Sequence, residues 1–112
     1  MIYRVRGRKV RLEIDGGLQT KGILLDDVGD KKGSSGKDKY LEVSINISEN
    51  LGTFYKLKNE GTMILGTLIL ESGFQTRSRT FKFTGKLSGV AEDLRLRGAV
   101  IRLSPTEFEL VE

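Results

Sequence analysis

Residues Gly7–Asp27, GRKVRLEIDGGLQTKGILLDD, constrain the fold more than any other stretch. Val10, Leu12 and Ile14 alternate with Arg11 and Glu13, the period of a strand with one buried face. Asp15-Gly16-Gly17 follows as a turn, because glycine takes positive φ without steric cost. A second apolar run, Gly22-Ile23-Leu24-Leu25, lies beyond it. The pair reads as a bent hairpin opening a small β-barrel. Upstream, Tyr3 and Val5 share one face, and the phase changes at Gly7, where a bulge or sharp bend is expected.

The rest of the chain repeats the pattern. Fourteen glycines and one proline are scattered among short alternating runs. That spacing predicts an all-β, single-domain protein, a mostly antiparallel small β-barrel or sandwich of about seven to eight strands. Residues 29–38, GDKKGSSGKD, carry no apolar side chain and read as a mobile loop or linker. Residues 39–47 read as a strand, 53–58 as a short strand, and 85–89 as a turn-rich break, with one helical turn conceivable at 91–94. Thr62–Leu70 is apolar on both faces, which predicts burial on both. A two-residue turn at Ser72-Gly73 would set Gly66 opposite Arg79 and Ile64 opposite Phe81, and it makes Phe81 and Phe83 core residues. Ser104-Pro105-Thr106-Glu107 fits a helix capping box, yet FELVE alternates, so a final strand is expected. No segment earns assignment as a helix.

Composition removes several function classes. There is no histidine and no cysteine. The usual general base near neutral pH is missing, as are thiolate and imidazole metal ligands. Serines lack a histidine to activate them. No Gly-rich dinucleotide fingerprint or phosphate loop is present. A non-enzyme with no cofactor and no metal is expected. No apolar run approaches the roughly 20 residues that span a bilayer, and no secretory signal opens the chain, so no membrane partner and a cytoplasmic or virion location are expected.

Arginines at alternate positions are the most distinctive chemical feature: Arg4-x-Arg6-x-Arg8, Arg77-x-Arg79 and Arg95-x-Arg97. On a strand, period two puts each set on one face, about 6.5–7 Å apart. Guanidinium forks grip phosphate bidentately and stack on bases. The net charge of +4 permits an anionic partner. The competing reading is a solvated sheet face that blunts edge strands. Phe54 and Tyr55 are adjacent, so one should face outward as a stacking platform.

Two stretches resemble the motifs of the Sm/LSm family of small RNA-binding barrels. The first is Gly7-x-x-Val10-x-Leu12-x-Ile14-x-x-Gly17-x-x-x-x-Gly22-x-Leu24-x-x-Asp27. The second is Leu96-Arg97-Gly98-Ala99-Val100-Ile101-Arg102-Leu103-Ser104-Pro105. The resemblance implies an RNA-lined pore to which Asp27, Arg97 and Gly98 contribute. The asparagine expected after the first motif's aspartate is absent, and about 68 residues separate the motifs.

The reading that follows is non-catalytic RNA or single-stranded nucleic-acid binding. Arg77, Arg79, Arg95 and Arg97 would contact phosphates, with Tyr55 or Phe54 stacking. The alternative is a structural or assembly protein, a phage or ring-forming module, whose copies pair through strand edges as a homo-oligomer.

Overall fold

The computed structural model describes residues 1–33, 39–73, 77–93, 95 and 97–111. Its strands are β1 (Ile2–Tyr3), β2 (Lys9–Ile14), β3 (Leu18–Leu24), β4 (Val28–Gly29), β5 (Val43–Ile47), β6 (Ile64–Leu70), β7 (Arg79–Asp93) and β8 (Gly98–Leu110), with one helix, α1 (Leu51–Glu60). The opening hairpin forms where its alternation and glycines place it. Ile14 pairs with Leu18 across a turn in which Gly16 and Gly17 take φ of 107° and 102°. Such angles exclude most side chains, which fixes the register of β2 against β3.

Six strands close into an antiparallel barrel in the order β2-β3-β5-β8-β7-β6, with β2 bonded to both β3 and β6. Alternate residues point inward. Val10, Leu12, Leu24, Ile45, Ile47, Leu68, Leu70, Phe81 and Ile101 are buried in one core. The two ends are covered differently. Beyond the end of β5, α1 packs on β7 and sinks Phe54 into the core. At the other end the N-terminal arm pairs through β1 with β4 and buries Val5. There Tyr3 meets Phe81 edge-on at 5.0 Å, Phe81 stacks on Phe108 at 4.9 Å, and Tyr40 lies 6.4 Å from Phe108. The arm bends at Gly7, whose N–H donates to the Leu24 carbonyl (2.8 Å). Among the described residues no helix is long and apolar enough to cross a membrane.

Several expectations need correction. Residues 53–58 are helix, not strand. Leu51, Phe54 and Leu57 fall on one helical face, and Gly61 (φ 65°) ends the helix by donating to the Leu57 and Lys58 carbonyls. Ten residues are marginal as an isolated helix, so docking of Phe54 stabilises it. Thr62–Leu70 is not buried on both faces. Ile64, Leu68 and Leu70 point inward, while Met63 and Leu65 are 43% and 51% exposed. A barrel made of one closed sheet has a single interior, and among the described elements no second layer packs on β6.

The β6–β7 pairing is offset by four residues from the expected register: Gly66 faces Phe83 and Leu68 faces Phe81. Because the offset is even, Phe81 and Phe83 keep their inward faces, with exposures of 0% and 4%. Gly66 has a packing reason. A side chain there would collide with the Glu13 carbonyl and with the tip of the Phe83 ring, which covers the glycine instead. The expected break at 85–89 is strand with register shifts at Thr84/Gly85 and Leu87/Gly89. Such bulges let one long strand bend round the barrel. Ala91–Asp93 belongs to β7, with Leu94 outside the described residues, and β8 runs through Ser104-Pro105 to Leu110 as the alternation of FELVE predicts. Of the segment 29–38, Gly29 pairs in β4 and Asp30 bridges to Tyr40; residues 34–38 lie outside the described ones.

Candidate nucleic-acid interface

The N-terminal arm alternates Tyr3 and Val5, turned towards the core, with Arg4 and Arg6, which are exposed. That alternation lays a row of guanidinium groups along the outside of one barrel end. Arg8 ties the row to the β6–β7 connection. Its Nη2 donates to the carbonyls of Glu71 (2.7 Å) and Arg77 (3.0 Å). The Arg79 guanidinium carbon stands 5.6 Å from the centre of the Tyr3 ring, in cation–π range. Arg4, Arg6, Arg8, Arg77 and Arg79 thus come from two segments some seventy residues apart and gather at one end. Beyond the row Lys9 opens β2, its carbonyl accepting from the Glu71 N–H (3.1 Å).

Carboxylates sit among these cations. Arg6 Nη2 donates to Asp26 Oδ1 (2.6 Å), and Arg4 Nη1 to Asp27 Oδ2 (3.2 Å). The Arg4 and Arg6 side chains remain 83% and 71% exposed, so both pairs are wet and weak. An incoming phosphate could replace either carboxylate at small cost. Asp27 has a further duty. Its Oδ1 accepts the backbone N–H groups of Val5 (3.0 Å) and Arg6 (3.1 Å) and pins the arm to the barrel. The Arg6 amide, then the Arg4 guanidinium and the Val5 amide, hold the Asp27 carboxyl below its ordinary value of 3.8 despite partial desolvation. The Asp26 hydrogen bond and charge raise the Arg6 guanidinium further above its ordinary value.

The Asp27 clamp gives a prediction with a definite sign. A carboxyl whose folded value is depressed stabilises the fold above its unfolded value and loses that contribution as pH falls through the folded one. The Val5 and Arg6 amide resonances are therefore expected to hold their folded positions at neutral pH and to shift only below pH 3.8. In Asp27→Ala they should be displaced at every pH. A wild-type transition centred above 3.8 would contradict the assignment.

The residues singled out by sequence pattern divide between the two ends. Arg77 and Arg79 are exposed and belong to the arginine-rich end. Arg95 and Arg97 lie in the β7–β8 turn, at the far end of the fifteen-residue β7. Arg97 takes the left-handed conformation (φ 52°), uncommon for a side chain of its size. Gly98 starts β8 pressed against the Ile47 carbonyl, leaving no space for a side chain. Asp27 follows β3, which pairs Leu24 with Ile45; Ala99 pairs with Ile47. Counting along β5, Asp27 and Arg97 are roughly 20 Å apart in the strand direction. The two turns that the Sm/LSm resemblance joins in one pore thus stand at opposite ends of the chain's own barrel. Tyr55 is half-buried on α1, and Phe54 is fully buried. The stacking candidate beside arginines is instead Tyr3. Its signal was present in the sequence as the aromatic position preceding Arg4-x-Arg6-x-Arg8.

Among the described residues no group of three or more acidic side chains is placed to hold a metal ion. Comparisons of the chain with protein-family models, with curated proteins and with solved structures find no match.

Proposed function

We propose that this barrel binds RNA or single-stranded nucleic acid, without catalysis, at the end built from the N-terminal arm and the β6–β7 connection. The observation that carries the reading is the Arg8 bridge, which ties the arm bearing Arg4 and Arg6 to the connection that bears Arg77 and leads into Arg79. Exposed guanidinium forks suit phosphates, and the Arg79–Tyr3 pair offers a planar surface for a base. Backbone grip of this kind carries affinity with little sequence preference.

Closure bears on the assembly alternative. The barrel strands pair on both edges over much of their length, while 86–93 of β7 and 104–110 of β8 pair on one side only, so pairing between copies would use those stretches or the short strands β1 and β4.

The test is a salt titration with a labelled oligouridylate. Affinity should fall steeply between about 50 and about 300 mM salt, with a log–log slope of about −0.7 for each phosphate held. A flat profile, or no binding at the lowest salt, overturns the proposal.

A further inference from the structure

Resting on that reading, we propose that the bound strand does not stop at the arginine-rich end but crosses the outside of β2, β3 and β5 to Arg97. A cleft of about 330 Å³ lies there, lined by Lys9, Lys21, Gly22, Ile23, Asn46 and Ser48 among others. Gly22 forms its floor. A side chain at that position would point into the barrel, like those of Thr20 and Leu24, and collide with the Asn46 carbonyl and the Ile45 side chain, so its absence lets β3 and β5 close up beneath the cleft.

Both mouths of the cleft touch arginine-bearing turns. At one mouth is Glu71, whose carbonyl accepts from Arg8. At the other is Ser48, against which Gly98 packs, next to Arg97. The cleft therefore joins two arginine sets that β7 holds apart. Crossing from β2 to β8 covers three inter-strand spacings, about 14 Å.

Its chemistry suits a polyanion. Lys9 and Lys21 are exposed on its rim, and Arg11 pairs directly across β2–β3 with Lys21. Like charges directly opposite each other destabilise a sheet. Glu13 offsets Arg11 (3.1 Å), and Glu49 Oε1 accepts from the Lys21 backbone N–H (3.5 Å). A phosphate beside Lys21, within reach of Lys9 on the neighbouring strand, would offset the charge that Arg11 and Lys21 set against each other. Ile23, 42% exposed beside them, supplies an apolar surface for a base.

The test uses oligouridylates of about six and about twelve nucleotides, within the range of site sizes of single barrels. Lys9→Gln combined with Lys21→Gln should weaken the longer probe about tenfold and reduce its salt slope by about 1.4, while the shorter probe changes less than about twofold. Both lysines are exposed, and an unchanged melting temperature checks the fold. Unchanged affinity and slope for the longer probe, with wild-type binding intact, overturn the track and leave the arginine-rich end standing. Equal losses for both lengths also overturn it, because the lysines would then belong to the primary site. Wild-type protein that binds neither probe overturns both proposals.

Discussion

Phe81→Ala is expected to lower the unfolding free energy by about 3–5 kcal/mol, a large share of the roughly 5–15 kcal/mol available to a domain of this size. Phe81 has no exposed surface and sits between Leu68 of β6 and Leu110 of β8 in the ladder. Its ring stacks on Phe108 and receives the edge of Tyr3. Truncation would leave a cavity and remove two aromatic contacts at once, each contributing about 0.5–1.5 kcal/mol beyond area. The damage would not stay local, since Tyr3 is one of the contacts by which the arm rests on the barrel and Arg79 lies over it. Chemical denaturation should show the loss, with loosened Tyr3 and Tyr40 environments by NMR. Phe81→Leu, which keeps most of the volume, should cost far less. A loss below about 1 kcal/mol for the alanine variant would mean that this end is not a packed core.

The legible and illegible parts of the chain divide on physical grounds. Strand alternation is a local signal, and it placed Val10 and Leu12 on the inner face without knowledge of partners, while Phe81 and Phe83 were placed there through an assumed hairpin register. That placement survived a wrong register, because shifting β6 against β7 by four residues preserves the face. The helix was hidden because Thr53–Lys58 also reads as a short apolar strand, and only Leu51 and Gly61 outside it reveal the helical period and stop. Burial of β6 on both faces was inferred from composition, but the number of layers is a tertiary fact. The site follows the same logic. Each arginine set was visible as a period-two pattern, yet which sets meet depends on closure and on the Arg8 bridge across 69 residues of sequence. Closure put Arg77 with the N-terminal arm and Arg97 at the other end.

Replacing Arg4, Arg6 and Arg77 together by glutamine is expected to weaken oligouridylate binding on the order of a hundredfold and to reduce the salt slope by about 2. These three are chosen because their guanidinium groups are not structural anchors. Arg8 holds two carbonyls and Arg79 covers Tyr3, so changing either would mix folding with binding. The variant takes the net charge from +4 to +1, and that alone slows encounter with a polyanion. The control therefore matches charge: Lys56, Lys58 and Lys82 to glutamine, on α1 and the outside of β7. A local site predicts a loss of less than about threefold for the control. Asp26→Asn separates the cases further. It removes the carboxylate bonded to Arg6 while the Asp27 clamp on the arm stays whole. Affinity should then rise, because phosphate no longer competes with Asp26 for the same guanidinium. Equal losses for the arginine variant and the lysine control, with no gain for Asp26→Asn, would reduce the arginine-rich end to diffuse net charge.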